Sequence, residues 1–312
     1  MGERGKRKID RLDPQLISDR FIKDFEYLPI HRKVIELVYK MRAIRTSQIT
    51  RITGYNANYV RRELHNLYYN RFLDRTYPYE QKVIENDNKG SVQGIYFIDE
   101  AGRIALSGFL NMDLREIKWR PVENLIKYDY LKHALECSEI LAKVHEECRR
   151  AGYTVLDYAC EKHLWKKFSY QGTQYEFCPD MYMRIMKDKY AYSFFVENDE
   201  ATMDVRSFLA KVPKYDNFKL SGGYEEEYDI YPRVLVITTS RERALTLARE
   251  VGKKQKSKVE FLFTWHDAFY ELPFGSKTFI HTSVEKLPRT YSMFDEIPEE
   301  AKIGLNEEPN KQ

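Results

Sequence analysis

Two apolar segments that run into carboxylates most constrain how this chain can fold. The first segment contains Pro179-Asp180, and the second leads into Glu197 and Asp199. Because Lys187-Asp188-Lys189 lies between them as a turn, the two segments are predicted to pair as a β-hairpin. Glu197 and Asp199 are two residues apart, so on a strand their side chains point to the same face. The hairpin therefore predicts that both can converge with Asp180.

Three converging carboxylates form an oxygen-rich site of the kind that suits Mg²⁺ or Mn²⁺. Burial of unpaired charges costs free energy, so a cluster of carboxylates at the ends of strands indicates a role that offsets this cost. One such role is metal-dependent phosphodiester cleavage, with Asp180, Glu197 and Asp199 as the metal ligands. The alternative is that these carboxylates end strands and pair with nearby basic residues in an inactive fold.

Charge is distributed unevenly along the 312 residues. Residues 1–107 carry 20 Lys and Arg against 14 Asp and Glu, a net +6, whereas the remainder carries 31 against 34, a net −3. Nucleic acid attracts positive surfaces. The asymmetry therefore points to the N-terminal part as the contact with nucleic acid.

Cysteine usage and hydropathy favour a cytoplasmic protein. The four cysteines lie far apart and show no metal-binding spacing, so we expect them to be reduced and mostly buried. The sequence shows no signal peptide and no long apolar run. We expect no association with a membrane.

The pattern of elements divides the chain into five parts. We predict a flexible basic arm over 1–26, a winged helix-turn-helix domain over 27–107, a connector over 108–128, an α/β domain over 129–285 and a partly disordered tail over 286–312. From residue 129 onward the predicted elements are a helix over 129–150, strands over 154–160, 177–185 and 190–196, a helix that Thr202 caps and that ends at Pro213, a strand over 233–238, a helix over 241–251 and a strand over 259–264. This order indicates a mixed sheet with helices on both faces. The predicted class is α/β, and α+β when both domains are taken together.

The winged helix-turn-helix prediction rests on helix boundaries and apolar spacing. A first helix runs from about Pro29 to Arg42, a short second helix begins at Thr46 and ends at Gly54, and Asn56 caps a third. In the third helix, residues 60, 64 and 67 recur with helical spacing and form its inner face. Residues 72–76, 82–85 and 94–98 are predicted strands. The hairpin of the last two, with a turn at 86–90, would form the wing, and a short helix over 101–106 would close the domain.

The outer face of the third helix supplies the candidate DNA-reading residues Asn58, Tyr59, Arg61 and Arg62. Arginine can bond bidentately to guanine, and asparagine to adenine, in the major groove. Arg45, and Lys89 in the wing turn, are the candidate contacts outside that helix. The alternative is a winged helix that binds protein and has a solvated basic face.

The region 129–238 resembles the PD-(D/E)xK nuclease-like fold. Pro179-Asp180 matches the first acidic motif, and Glu197 stands at the second. The family's pattern has a lysine where this chain has Asp199, and Lys211 on the next helix could supply that lysine from a migrated position. The resemblance implies catalytic roles for Asp180, Glu197, Asp199 and Lys211, with Mg²⁺ or Mn²⁺ as the cofactor.

Residues 27–270 also resemble the replication-relaxation family of plasmids and conjugative elements. The resemblance rests on the winged helix-turn-helix, His133, Pro179-Asp180, the run Phe195–Asp199 followed by Thr202, and then Lys211 with Tyr215. The Glu-x-Asp pattern of this family fits the chain better than the Glu-x-Lys pattern of nucleases. The resemblance to the replication-relaxation family implies a DNA-binding protein that acts in plasmid replication or mobilisation.

Three hypotheses follow for the function. In the first, the protein binds duplex DNA through the winged helix and nicks it with a metal-dependent endonuclease site. In the second, it is a non-enzymatic replication initiator or transcriptional regulator with an inactive nuclease-like scaffold. The third is a defence nuclease. The expected partners are double-stranded DNA, a second copy of the chain and replication or conjugation proteins.

Overall fold

The computed structural model of the protein describes residues 11–77, 93–201, 204–254, 259–282 and 289–295. The chain divides into two compact units, residues 1–146 and residues 147–312. Each unit contains its own sheet and its own helices.

Within residues 11–77 and 93–127, the structure describes the α-helices α1 (Asp19–Asp24), α2 (Pro29–Met41), α3 (Thr46–Thr53), α4 (Ala57–Tyr69) and α5 (Glu100–Leu110). Their boundaries follow local signals. Gly54 has a φ of 74° and ends α3, and the side chain of Asn56 accepts a hydrogen bond from the Asn58 N–H at the start of α4. Val60, Leu64 and Leu67 are buried on one face of α4, as their spacing predicts.

A small antiparallel sheet completes this arrangement. Its strands are β1 (Ile44–Arg45), β2 (Leu73–Thr76) and β3 (Ile95–Ile98), in the order β1-β3-β2. The strands β2 and β3 correspond to the predicted strands over 72–76 and 94–98, and they pair with each other. The predicted strand over 82–85 and the turn over 86–90, including Lys89, lie outside the described residues.

The segment before α2 differs from the predicted flexible arm over 1–26. Residues 11–26 contain a 3₁₀ turn at Pro14–Leu16 and the helix α1, which is capped by the Ser18 side chain. Aromatic packing holds the segment, because the Phe25 ring lies 4.5 Å from the Phe72 ring, centroid to centroid. Arg11 adds a hydrogen bond to the Asp99 carboxylate at 2.6 Å. The apolar residues of this segment therefore pack on the first unit although most of its residues are polar.

The longest helix, α6, spans Tyr128–Ala151, close to the predicted 129–150. Its first part belongs to the first unit, where Ser138 donates a hydrogen bond to the Ala43 carbonyl and the Gln48 amide donates to the Leu135 carbonyl. The division between the two compact units falls inside α6, after Glu146, whereas the predicted domains begin and end around a connector over 108–128. Within the described ranges, no helix combines the length and the apolar character needed to cross a bilayer.

The second unit is built on a seven-stranded mixed sheet in the order β12-β11-β10-β9-β8-β7-β4. Its strands are β4 (Thr154–Cys160), β7 (Met181–Lys187), β8 (Tyr190–Asp199), β9 (Arg233–Thr238), β10 (Phe261–Trp265), β11 (Phe279–His281) and β12 (Thr290–Tyr291). Strands β8, β9 and β10 are parallel to one another, and the remaining pairs are antiparallel. The predicted α/β class with a mixed sheet is confirmed.

The chain between β8 and β9 forms two short helices where the sequence predicts one that ends at Pro213. They are α7 (Val205–Leu209) and α8 (Val212–Leu220). Pro213 lies in the first turn of α8, where a missing N–H costs nothing because that group has no partner within a helix. The Asp204 side chain caps α7, and the predicted cap Thr202 lies outside the described residues.

Several elements of the second unit are not predicted from the sequence. A separate hairpin consists of β5 (Lys166–Tyr170) and β6 (Thr173–Phe177). Two helices follow the parallel strands, α9 (Arg241–Lys254), which is predicted, and α10 (His266–Glu271), which is not. One face of the β5–β6 hairpin packs on the core through Phe168 and Phe177, and the other face is exposed, so burial alternates along both strands.

Aromatic side chains fill the core between the sheet and the helices α8 and α9. The rings of Phe177 and Phe218 stack with their centroids 4.5 Å apart, and Phe177 meets the ring of Tyr215 edge-on at 4.9 Å. Phe195, next to these rings, is fully buried. This core fixes the position of α8 over the end of strand β8.

Candidate functional site

The hairpin of β7 and β8 brings Asp180 next to the end of β8. Met181 is paired with Val196, so Asp180 and Glu197 are adjacent across the two strands. One oxygen of Asp180 accepts a hydrogen bond from the Asn198 N–H at 2.8 Å. The predicted hairpin register thus places these two carboxylates together.

Lys211 reaches this pair from the segment that joins α7 to α8. Its ammonium donates to Oε2 of Glu197 and lies 3.8 Å from Oδ1 of Asp180. The second oxygen of Glu197, Oε1, accepts a hydrogen bond from the hydroxyl of Tyr215 on α8. Asp180, Glu197, Lys211 and Tyr215 therefore form one connected group, which we call the Lys211 cluster.

Burial dominates the electrostatics of this cluster. Glu197 is only 1% exposed, and burial together with the nearby Asp180 charge raises its pKa to about 7, although Lys211 and Tyr215 act in the opposite direction. Burial acts to lower the pKa of Lys211, but the Glu197 and Asp180 carboxylates outweigh it and raise that pKa. Burial and the Glu197 charge raise the pKa of Tyr215 well above its ordinary value.

Asp199 has partners of its own. Arg243, in the first turn of α9, donates from Nε and Nη2 to the two oxygens of Asp199, and Nη2 lies 2.8 Å from Oδ1. The hydroxyl of Thr238, paired with Asp199 across β9, donates to Oδ2 at 2.7 Å. Where the nuclease pattern has a lysine, this chain therefore has Asp199, whose carboxylate accepts two hydrogen bonds from the guanidinium of Arg243.

These contacts decide how well the site fits a divalent cation. Both oxygens of Glu197 and both oxygens of Asp199 already accept hydrogen bonds, and the Lys211 ammonium supplies the positive charge between Asp180 and Glu197. Among the described residues, no group of three or more His, Cys, Asp or Glu side chains is arranged to hold a metal ion. The carboxylate oxygens of Glu197 and Asp199 in this arrangement do not fit Mg²⁺ or Mn²⁺, because they already accept hydrogen bonds from other side chains. Metal binding by Asp180, Glu197 and Asp199 stays a prediction.

The candidate DNA-reading residues lie on the exposed side of α4. Asn58, Arg61 and Arg62 are exposed, and Tyr59 is half-buried. Arg61 donates to the Asn58 side chain at 3.0 Å, and the Arg62 guanidinium lies 5.1 Å from the centroid of the Tyr59 ring. Their placement on the outer face matches the helical spacing.

A buried polar pair fixes α4 against α2. The Leu28 N–H donates to Nδ1 of His31, so Nε2 of His31 carries the hydrogen that is shared with Glu63 at 2.8 Å. Both side chains are almost fully buried. Burial acts to raise the pKa of Glu63, and its hydrogen bonds to His31 and Arg62 outweigh that effect and lower it.

Two other basic residues lie near this helix. Arg51 pairs with Glu139 and Glu146 on α6, so its charge is matched by acids of its own unit. Arg45 is the N-cap residue of α3 and is half-buried there.

Sequence reasoning missed Arg243 and Thr238, the partners of Asp199. One available signal is the place of Arg243, three residues into a helix that directly follows a parallel strand, where side chains gather at the ends of neighbouring strands. His133, which the family resemblance singles out, has its Nε2 3.9 Å from the Cys137 sulfur one helical turn away.

Comparison with known proteins supplies the family. Residues 35–234 match the family model described as Replication-relaxation. A crystal structure of protein VC1899 from Vibrio cholerae is similar to this chain with 11% identity and a TM-score of 0.29; the match covers 80% of this chain and 56% of that chain. No curated protein matches the chain. Because the family match covers more than half of the 312 residues, this chain belongs to the replication-relaxation family, which supports a role related to plasmid replication or mobilisation.

Proposed function

We propose that this protein binds duplex DNA through α4 in plasmid replication or mobilisation, and that its second unit is a scaffold rather than a nuclease. The observation that carries the proposal is the outer face of α4, where Asn58, Arg61 and Arg62 are exposed opposite the buried apolar face. A helix of this kind can enter the major groove, which is wide enough to admit it.

The side chains of this face have the chemistry to read bases. The guanidinium of Arg61 can donate two hydrogen bonds to guanine, and Asn58 can pair with adenine through its amide. In the free protein these two side chains bond to each other at 3.0 Å, which holds both in place on the exposed surface. On binding, that single exposed hydrogen bond would be exchanged for contacts to base edges.

The contacts of Glu63 support a fixed orientation of α4. Its carboxylate accepts from buried His31 at 2.8 Å and from exposed Arg62 at 2.7 Å. The guanidinium of Arg62 is thereby held at the surface by a carboxylate that is itself anchored inside the domain. A reading helix needs such support, because its side chains must meet base edges in a defined register.

The scaffold role of the second unit rests on the Lys211 cluster. An ammonium between two carboxylates neutralises the charge that a metal would otherwise neutralise. The same holds for Asp199, which Arg243 neutralises. The protein would then be a replication initiator or a transcriptional regulator that assembles as a homodimer with replication or conjugation proteins as partners.

Selection of duplexes from a random pool, followed by binding titrations, tests the DNA-reading part. We expect the selected duplex to bind at least tenfold more weakly to Arg61→Ala and to Arg62→Ala, since a good bidentate contact contributes about 1–3 kcal/mol. Arg115→Ala is the matched control, because Arg115 is an exposed arginine of the same unit that pairs with Asp113. Equal affinities for all four proteins would contradict the proposal.

Nicking of supercoiled plasmid in Mg²⁺ or Mn²⁺ tests the scaffold part. We expect no cleavage by the purified wild-type protein beyond that of Asp180→Ala. If the wild type nicks plasmid and Asp180→Ala does not, the second unit is a metal-dependent endonuclease and the scaffold role is wrong. Cleavage of unrelated DNA as fast as plasmid DNA would favour a defence nuclease.

A further inference from the structure

A cavity of about 150 Å³ opens beside the Lys211 cluster in the second unit. Its walls come from the residue before β5, the end of β6, the end of β8 and the chain from Lys211 into the first turn of α8. The lining includes three aromatic rings and four charged groups: Trp165, Phe177, Tyr215, Glu176, Glu197, Lys211 and Lys214. The cavity thus combines flat apolar walls with two ammonium groups and two carboxylates.

Trp165 is the exposed wall of this cavity. It is 45% exposed, whereas Phe177 and Tyr215 on the other side belong to the buried core. An indole ring left in water forgoes the free energy that its burial would give. The ammonium of Lys167, which pairs with Glu176, lies 4.8 Å from its centroid. Such a ring can stack against a flat ligand.

Lys214 supplies an available positive charge at the cavity. It is exposed, and no side chain in the part of the chain that the structure describes forms an ion pair with it. The negative charge of Glu176 is matched by Lys167 at 3.6 Å. Lys211, the other cation that lines the cavity, is engaged by Glu197. An anionic ligand would therefore meet Lys214.

We propose that this cavity binds a nucleotide of single-stranded DNA, with its base stacked on Trp165 and its phosphate beside Lys214. Base stacking on an exposed aromatic ring, next to lysines that follow the backbone, is the usual chemistry of single-strand binding. In a duplex both faces of each base are already stacked on neighbouring bases, so neither face of a paired base is available to stack on Trp165. The inference rests on the proposed DNA-binding function and adds a second DNA contact to it.

Tryptophan fluorescence of the full-length protein, titrated with oligothymidylate, tests this site directly. Trp119 is buried and Trp265 is half-buried, so stacking on Trp165 dominates any quenching. We expect oligothymidylate to quench the wild-type emission and to leave Trp165→Phe unquenched while still binding it. Trp165→Ala should bind roughly tenfold more weakly in a polarisation assay, in line with the contribution of one stacked base.

Lys214→Met tests the phosphate contact, with Lys189→Met as a control that removes one exposed lysine from the same unit. We expect Lys214→Met to weaken binding and to reduce its salt dependence by about one counterion, and Lys189→Met to bind as the wild type does. Thymidine monophosphate should compete weakly if a single nucleotide occupies the cavity. Unfolding midpoints within a few degrees of wild type establish that the variants are folded.

The double variant Arg61→Ala/Arg62→Ala separates this inference from the proposed function. Because it lacks the duplex-reading arginines, any remaining quenching by oligothymidylate comes from the second unit. If oligothymidylate fails to quench the wild type, or quenches Trp165→Phe equally, the cavity does not bind single-stranded DNA. Loss of duplex binding in Trp165→Ala would also overturn the assignment, since it would show that the two contacts are not separate.

Discussion

The ammonium of Lys211 contacts Glu197 and lies 3.8 Å from Asp180, so one cation faces two carboxylates. Glu197 is almost completely buried, whereas the side chain of Lys211 is 30% exposed. A charge that is buried to this extent depends on its partner, because removal of one member of a buried pair leaves the other uncompensated. The two residues should therefore behave as a unit when they are mutated.

Lys211→Met should destabilise the protein by about 2–4 kcal/mol, because it leaves the Glu197 charge without its counterion. Glu197→Gln should cost less, since the amide keeps an acceptor for Tyr215 and carries no charge. Combined with Glu197→Gln, the lysine substitution should lose most of its effect. Urea unfolding of the two single variants and the double variant measures this coupling.

Lys214→Met is the matched control for that cycle, because Lys214 is an exposed lysine three residues after Lys211, in the first turn of α8. Its unfolding midpoint should stay close to that of the wild type. Additive effects of Lys211→Met and Glu197→Gln would show that the two side chains do not stabilise each other.

Stability should fall as the pH rises from about 4.5 to about 7. A carboxyl whose pKa is raised on folding binds its proton more tightly in the folded state, so its contribution is largest below the unfolded value of 4.5 and is lost by about pH 7. The loss should reach at most about 3 kcal/mol. Glu197→Gln stays neutral at every pH, so the difference between its stability curve and that of the wild type isolates this group.

Denaturant unfolding of both proteins at several pH values between 4 and 8 provides the measurement. Other titrating groups contribute equally to the two proteins and cancel in the difference. A difference that is constant across this range would mean that burial does not raise the pKa of Glu197.

Mn²⁺ binding should be gained, not lost, in Lys211→Met. The substitution removes the cation between Asp180 and Glu197 and leaves two carboxylates that a hard divalent cation can neutralise. We expect calorimetry to show at least roughly tenfold tighter Mn²⁺ binding than in the wild type, which corresponds to about 1.4 kcal/mol. Asp180→Asn in the same background should remove the gain. Tighter binding by the wild type would instead identify a metal site that uses Lys211 as an auxiliary group.

Arg243→Ala should destabilise the protein by about 3–5 kcal/mol, since it leaves the Asp199 carboxylate buried with one hydroxyl partner, Thr238. Asp199→Asn should be milder, because the amide still accepts from Arg243. Arg241→Ala, two residues earlier and exposed, is the control and should leave the melting temperature nearly unchanged. Thermal denaturation followed by circular dichroism checks the order of the three variants.

Local patterns explain which parts of this fold the sequence predicts. The hairpin of β7 and β8 has a turn between two apolar strands, and α4 has a cap at Asn56 and apolar residues with helical spacing. Both are properties of neighbouring residues. The meeting of Asp180 with Glu197 follows from the hairpin alone, and Lys211 was a candidate because the family pattern places a lysine on the next helix.

Partners that depend on distant packing are harder to predict. Arg243 reaches Asp199 across 44 residues, through the parallel pairing of β8 with β9. The β5–β6 hairpin, which supplies one wall of the cavity, has only five residues in each strand, and its buried residues Phe168 and Phe177 pack on Phe218 of α8, about 40 to 50 residues further along the chain. Pro213 taken by itself predicts the end of a helix. In the structure it lies in the first turn of α8, because the preceding helix α7 has already ended at Leu209.

The hydrogen bond from Tyr215 to Glu197 bears on strand transfer, in which a tyrosine oxygen attacks a phosphodiester and becomes covalently joined to DNA. The Tyr215 residue lines the cavity, but its hydroxyl is buried, donates to the Glu197 carboxylate and has a strongly raised pKa, so it is held as a phenol. Tyr215 therefore joins a helix to a strand, and phosphotyrosine adducts are not expected at this position.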